Sequence, residues 1–136
     1  MTVEGRGRSQ GRAVLEDPLT EAVIGAAIAV HRVVGPVMLE SVYEACLRHE
    51  LDKRGLGFET QVTLPVTYDG VRLNAHYRID LVVAGELVVE LKCVEKVLPV
   101  HRAQLITYLR LGGFRRGLLI NFNEARLVDG VTRVVG

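Results

Sequence analysis

Residues 80–92 read DLVVAGELVVELK, and this stretch gives the strongest indication of the fold. Two short apolar runs, 81–83 and 87–89, stand on either side of Ala84, Gly85 and Glu86. Short runs rich in β-branched residues and interrupted by a glycine-containing turn are typical of a β-hairpin. The stretch therefore predicts two antiparallel strands joined by a short connection.

Three charged residues lie within the predicted strands: Asp80, Glu90 and Lys92. Glu90 and Lys92 are two residues apart, so a strand directs both side chains to the same face. With a three-residue connection between the strands, Asp80 lies directly opposite Glu90 on that face. A strict two-residue turn would place Asp80 opposite Leu91 instead. The prediction of facing carboxylates therefore requires the three-residue connection or a bulge.

Two interpretations of this charged trio are open. Adjacent carboxylates repel each other unless a cation lies between them, and Mg²⁺ prefers oxygen ligands from one or two carboxylates, water and phosphate. A lysine close by can polarise water or a phosphate, so the trio suits metal-assisted phosphodiester hydrolysis. In the second interpretation, Asp80 marks a strand edge, and Glu90 and Lys92 form the solvated face of an ordinary strand. For the trio in isolation, the second interpretation is favoured.

The composition predicts one globular domain. The chain has 136 residues, of which 49% are hydrophobic and 24% charged, which are ordinary values for a folded protein. The net charge of +1 does not exclude a nucleic-acid substrate, because carboxylates at a metal site offset a basic surface elsewhere. Cys46 and Cys93 lack metal-ligand spacing and predict reduced thiols in a cytoplasmic protein. Neither a secretory segment nor a membrane-spanning run is visible, so we expect no membrane association.

The order of predicted elements gives the fold class. Residues 1–16 are rich in glycine and arginine and predict a flexible N-terminal arm, while residues 17–136 predict the single domain. Asp17 and Pro18 predict the start of a helix that ends at Gly35, and apolar spacing predicts a second helix over 39–53. Strands over 58–68, 71–77 and the 80–92 hairpin follow, and then a helix over 102–111 and a strand over 117–122. A short edge strand is predicted within 128–135, after the turn at Asp129 and Gly130. Pro65 indicates an edge or a bulge in the first strand. This order predicts an α/β fold with a mixed sheet flanked by helices.

Several polar residues outside the hairpin are candidates for a site. Glu40, in the first turn of the second helix, either turns inward or is an acid stabilised by the helix dipole, and spacing alone favours the latter. Gln104 and Tyr108 are four residues apart and share one face of the third helix. The four histidines lack zinc spacing and are expected to cap or to form hydrogen bonds, although His101 is close enough to Gln104 to approach the site.

A group of basic residues follows the hairpin. These residues either steer a polyanion toward the site or are solvated charges, and both interpretations stay open. They are Lys96, Arg102, Arg110, Arg115 and Arg116.

The order of these features resembles the GxxExxY proteins, a branch of the PD-(D/E)xK nuclease superfamily. The resemblance covers about residues 19–135 and rests on GPVMLESVYEACLRHEL, YRIDLVV, VVELKCVEKVLPVHRAQLITYL and LLINFN. Glu40 and Tyr43 match the family's motif, but the glycine that gives the family its name is replaced by Val37. A glycine at that position indicates a special backbone conformation, so Val37 is expected to affect the entry to the second helix.

The resemblance implies a restriction-endonuclease-like core, with a mixed sheet flanked by helices and a site for Mg²⁺ or Mn²⁺. It implies that Asp80, Glu90 and the backbone carbonyl of Leu91 are metal ligands. By the same resemblance, Glu40 binds the metal directly or through water.

The resemblance also assigns catalytic roles and a function. Lys92 would orient or activate the attacking water, and Gln104 and Tyr108 would place the substrate phosphate or the lysine. The implied function is a metal-dependent nuclease acting on nucleic acid, with DNA favoured over RNA. The alternative is a non-catalytic module with the nuclease fold that binds nucleic acid or a protein. The small size of the chain favours a second copy or a protein partner for targeting.

Overall fold

The computed structural model describes residues 17–136, so the flexible arm predicted for residues 1–16 lies outside the described residues. Within residues 17–136, three α-helices, five strands and a short 3₁₀ helix follow one another. They are α1 (Pro18–Val34), α2 (Glu40–Lys53), β1 (Phe58–Tyr68), β2 (Val71–Val83), β3 (Leu87–Lys92), α3 (Pro99–Gly112), β4 (Arg116–Asn121), the 3₁₀ helix (Leu127–Gly130) and β5 (Val131–Val135). Over residues 17–136, none of the helices is both long and apolar enough to cross a membrane.

Helix α1 begins and ends as the sequence predicts. The Asp17 carboxylate caps it by accepting a hydrogen bond from the backbone N–H of Thr20 at 2.9 Å. At the other end Gly35 has a φ of +70° and donates its N–H to the carbonyl of His31 at 2.8 Å. Val23 and Ala27 are fully buried, so this helix packs tightly against the sheet.

The five strands form one sheet in the order β1-β2-β3-β4-β5. Neighbouring strands are antiparallel except β3 and β4, which are parallel because helix α3 provides the crossover between them. Helices α1 and α2 cover one face of the sheet, and α3 covers the other. The predicted α/β fold with a mixed sheet flanked by helices is confirmed.

The hairpin of β2 and β3 has the three-residue connection that facing carboxylates require. Val83 pairs with Leu87 and Leu81 pairs with Val89, and the same register places Asp80 opposite Glu90. Ala84 and Gly85 turn the chain with φ values of +54° and +68°. Successive residues of β3 alternate between the two apolar layers, and Val88 faces α3. The register prediction is confirmed.

Two boundaries differ from the prediction: helix α3 begins at Pro99 rather than at residue 102, and β2 has no break after residue 77. Strand β2 runs unbroken from Val71 to Val83, because β1 pairs with it over nearly its whole length and so bridges the gap predicted after residue 77. The chain at Leu127–Gly130 forms a 3₁₀ turn that includes Asp129 and Gly130, and β5 follows it from Val131, as predicted. The irregularity expected from Pro65 is confirmed, since the β1–β2 register shifts between Pro65 and Thr67 and β1 is an edge strand.

Candidate metal centre

Asp80 and Glu90 meet where strands β2 and β3 part. The backbone N–H of Asp80 donates to Oε2 of Glu90 at 2.8 Å, and the backbone N–H of Leu91 donates to Oδ2 of Asp80 at 3.0 Å. Each carboxylate therefore binds a backbone amide of the opposite strand just beyond the last paired residues, Leu81 and Val89. The two carboxylates are held in place by the backbone itself, which makes their position a property of the fold.

The pair lies in an environment that disfavours two negative charges. Glu90 is only 7% exposed. Burial, followed by the charge of Asp80, raises the pKa of the Glu90 carboxyl well above its usual range. Burial also raises the pKa of Asp80. The hydrogen bond from the N–H of Leu91 has the opposite effect on this pKa but is the smaller of the two. The arrangement therefore favours the binding of a proton or a cation.

Lys92 and Glu40 both reach the neighbourhood of the pair. Lys92 is half-buried, and its charge lowers the pKa of both Asp80 and Glu90. Glu40 is the first residue of α2, and its Oε2 accepts a hydrogen bond from the backbone N–H of Cys93 at 3.3 Å. The charge of Glu40 raises the pKa of Asp80. Glu40 is therefore more than an acid at a helix terminus, because it also contacts the chain that follows Lys92.

The side chains alone do not form a complete metal cage. Within residues 17–136, no group of three histidine, cysteine, aspartate or glutamate side chains is close enough together to hold a metal ion. A cation here would have two side-chain carboxylates as nearest ligands, with other oxygen atoms completing its shell.

Gln104 and Tyr108 lie on the same side of the sheet as the carboxylate pair. Tyr108 is buried, and burial together with the charges of Glu90 and Asp80 raises the pKa of its phenol to about 12. Gln104 is exposed and lies one turn before Tyr108 on α3, and its side-chain amide lowers the pKa of the Tyr108 phenol, against these larger effects. Leu105 and Leu109 point into the core, as the helical spacing predicts.

Tyr43 explains how the chain accommodates Val37. The Tyr43 hydroxyl donates to the carbonyl of Gly35 at 2.5 Å and accepts from the N–H of Met38 at 3.1 Å. Its ring stacks on Phe122 with centroids 4.2 Å apart. Val37 has a φ of +67°, a conformation that is rare for a β-branched residue. The backbone that a glycine would adopt is thus present, enforced by the bonds to Tyr43.

The sequence analysis missed three residues near the site. Asn121, fully buried, pairs its amide with both backbone groups of Val94 at 2.9 and 3.0 Å and so fixes the chain after Lys92. A polar residue inside the apolar run of β4 was the available signal. Gln61, opposite Asp80 in β1, has a φ of +51°. Tyr77 contacts Tyr108, and no sequence pattern marks either Gln61 or Tyr77.

Other candidates have local structural contacts. Nδ1 of His101 accepts the N–H of Leu98 at 3.0 Å at the start of α3, which confirms a capping role for this histidine. Nε2 of the buried His31 lies 2.8 Å from the carbonyl of Glu124. Arg116 forms ion pairs with Asp17 and Glu86, which removes it from the proposed steering surface.

The comparison with protein families agrees with this geometry. A family model of the PD-(D/E)XK nuclease superfamily matches residues 17–134, and the chain belongs to that superfamily. Neither the curated proteins nor the solved structures gave a match. The match and the five-stranded mixed sheet agree on a restriction-endonuclease-like fold.

Proposed function

We propose that this protein is a divalent-metal-dependent nuclease of the GxxExxY branch that hydrolyses phosphodiester bonds in DNA or RNA. The buried pair of Asp80 and Glu90, with Lys92 beside it, is the observation that supports this function most directly. A buried carboxylate pair costs stability unless a cation or proton offsets its charge. A function that requires the cation explains why the chain retains the pair.

The donor atoms fit Mg²⁺ or Mn²⁺, which prefer carboxylate and carbonyl oxygens. One oxygen of each carboxylate binds a backbone N–H, so the second oxygen of Asp80 and of Glu90 is left for a cation. The carbonyl of Lys92 accepts the N–H of Phe122 from the β4 side. Since backbone groups alternate along a strand, the carbonyl of Leu91 faces the β2 side, as its N–H does. Leu91 is therefore a suitable third ligand.

The chain's own side chains would bind and orient the substrate around such a cation. When bound, the metal supplies Lewis-acid polarisation of the phosphate and neutralises developing charge. Lys92 would orient the attacking water or bind a phosphate oxygen, and Glu40 would hold a water at the rim of the site. Because its raised pKa keeps the Tyr108 phenol protonated, Tyr108 can donate a hydrogen bond to a phosphate, and Gln104, one turn earlier on α3, would help to place the phosphate or Lys92.

We further propose that the substrate is DNA in preference to RNA and that the protein acts in the cytoplasm. A second copy of the chain or a protein partner would direct it to its target. The two free cysteines support the location, and the superfamily supports nucleic acid as the partner. The second candidate function is a non-catalytic nuclease-fold module. Cleavage and binding assays distinguish the two.

The direct test is cleavage of supercoiled, linear and single-stranded DNA and of RNA, each with Mg²⁺, Mn²⁺ or EDTA. We expect cleavage with either metal and none with EDTA. Lys92→Ala should abolish cleavage and leave Mn²⁺ binding largely intact, because the lysine acts on water or phosphate and not on the metal. Lys53→Ala, which removes an exposed lysine paired with Glu50, is the matched control and should cleave normally.

Full activity of Lys92→Ala would contradict the role given to Lys92. Tight nucleic-acid binding without cleavage, with every substrate and either metal, would favour the non-catalytic module.

A further inference from the structure

The hairpin of β1 and β2 extends beyond the core next to the metal centre. Strand β2 pairs with β3 only over its last residues, from Leu81 to Val83. With β1, in contrast, it is paired from its first residue, where Val71 lies opposite Tyr68. Residues 71–78 of β2 are all exposed, whereas residues 81–83 of the same strand are all buried. This outer part of the hairpin is a two-stranded arm in which β2 contributes no buried side chain.

Tyr77 connects this arm to the metal centre. Its ring lies 5.5 Å from that of Tyr108, centroid to centroid, at an angle of 53°. Tyr108 in turn is close enough to Asp80 and Glu90 for their charges to raise its pKa. Tyr77 is 41% exposed, so part of its ring is available to a ligand while the rest packs on Tyr108. An accessible aromatic ring therefore packs on Tyr108 and lies three residues before Asp80 on the same strand.

The same strand also carries positive charge. Arg72, His76 and Arg78 recur at even positions of β2, between the tip of the arm and Asp80. Their partners on β1 are Thr67, Pro65 and Thr63, none of which is charged. The arm therefore presents two arginines and a histidine with no acid paired across from them, which suits a polyanion.

An accessible ring next to a cationic strand is the combination that binds single-stranded nucleic acid. Unpaired bases stack on aromatic side chains while basic residues follow the backbone. Bases inside a duplex are stacked on one another and cannot stack on a side chain without being flipped out.

We propose that the β1–β2 arm binds single-stranded nucleic acid, with an unpaired base stacked on Tyr77 beside the metal centre. The inference rests on the proposed nuclease function and deepens it by naming the substrate class. His76 and Arg78 alternate with Tyr77 along β2 and point to its opposite face. The base would therefore stack on Tyr77 while the sugar-phosphate backbone crosses the edge of β2 that β3 leaves open, within reach of Arg78, on its way to Asp80 and Glu90.

The test measures binding of a short fluorescein-labelled single-stranded DNA of mixed sequence by anisotropy, at low salt in EDTA. Without metal there is no cleavage, so this result does not depend on whether the protein is a nuclease. Tyr77→Ala and Tyr77→Leu should raise Kd about fivefold to a hundredfold, the range for loss of one base–aromatic stack. Tyr77→Phe retains the ring and should bind within about twofold of the wild type.

Tyr68→Ala is the matched control, because Tyr68 is 73% exposed but lies at the tip of the arm, roughly 20 Å along the strand from Tyr77. It should bind like the wild type. Tyr77→Leu preserves packing against Tyr108 better than alanine does, so it separates stacking from loss of structure. Wild-type affinity in Tyr77→Leu would overturn the proposal. So would absence of single-strand binding by the wild type, or an equally tight and equally Tyr77-dependent binding of duplex DNA.

Discussion

At the scale of single residues, the carboxylate pair has a cost that can be measured in the metal-free protein. Asp80→Asn keeps the hydrogen-bonding shape of the side chain and removes one of two repelling charges. In EDTA at pH 8 we therefore expect the variant to be more stable to urea than the wild type, by on the order of 1 kcal/mol. Glu59→Gln, which removes an exposed acid on β1 and leaves the carboxylate pair intact, is the control and should change stability little.

The difference in stability between Asp80→Asn and the wild type should depend on pH with a definite sign. Because the pKa of Glu90 and of Asp80 is raised in the folded state, the folded protein binds protons that the unfolded chain has already released. The repulsion between the two charged carboxylates therefore lowers the free energy of unfolding at pH values above the raised pKa. This loss of stability disappears as the pH falls through that pKa and the folded protein takes up the proton. The advantage of Asp80→Asn in EDTA should thus shrink toward pH 5. An advantage that is absent at pH 8, or that grows on acidification, would contradict the assigned repulsion.

Gln104 tests whether the helix that follows the hairpin belongs to the site. Its side chain is exposed one turn before Tyr108, so Gln104→Ala removes an amide beside the phenol that is proposed to meet the phosphate. We expect cleavage to fall by roughly tenfold to a thousandfold, with metal affinity nearly unchanged. Thr107→Ala, on the same helix, should cleave normally. If Gln104→Ala, in a preparation shown to be active, cleaves at the wild-type rate, Gln104 is a solvated helix residue with no role in cleavage.

The sequence could predict some site residues and not others, for a physical reason. Asp80, Glu90 and Lys92 follow from strand periodicity and hairpin register, which are local properties of the chain. The approach of Glu40 to Cys93 depends on how α2 packs against the end of β3, which no local pattern encodes. Tyr77 was missed for the same reason, since its neighbour Tyr108 comes from a distant helix.

At the scale of elements, the turn between α1 and α2 holds Val37 in a left-handed conformation. Such strain costs about 1–3 kcal/mol, and Val37 is 77% exposed, so its side chain gives little burial in return. We expect Val37→Gly to raise the free energy of unfolding by about 1 kcal/mol, after allowing for the greater entropy of glycine in the unfolded chain. The measurement is the urea midpoint at constant m-value.

Val33→Gly is the matched control, since Val33 is also an exposed valine but lies in the last turn of helix α1. Glycine there should lower stability by about 0.5–1 kcal/mol. If Val37→Gly lowers stability to the same extent, Val37 is not strained and the account of the Tyr43-supported turn is wrong.

Element boundaries show where local signals fail. The caps of α1 and the ends of β1 agree with the sequence prediction, because Asp17, Gly35 and the alternating pattern of β1 act locally. The continuity of β2 past residue 77 is instead imposed by its partner β1.

At the scale of the whole molecule, element order and one register argument predict the architecture. A parallel pair flanked by antiparallel strands requires a crossover helix, and the only predicted helix between β3 and β4 is α3. The sequence does not reveal that the β1–β2 hairpin extends beyond the core, because its apolar residues resemble those of a buried strand. Tyr68, Val71, Leu73 and Tyr77 are nevertheless exposed.

The central claim is that Asp80 and Glu90 form a divalent-metal site, and titration calorimetry with Mn²⁺ tests it most directly. The wild type should bind Mn²⁺ weakly, and Asp80→Asn should lose this binding with its circular dichroism spectrum unchanged. Glu44→Gln, which removes an acid of α2 that bonds Gln61 rather than the carboxylate pair, should bind like the wild type. Equal Mn²⁺ affinity in the wild type and in folded Asp80→Asn would contradict the account.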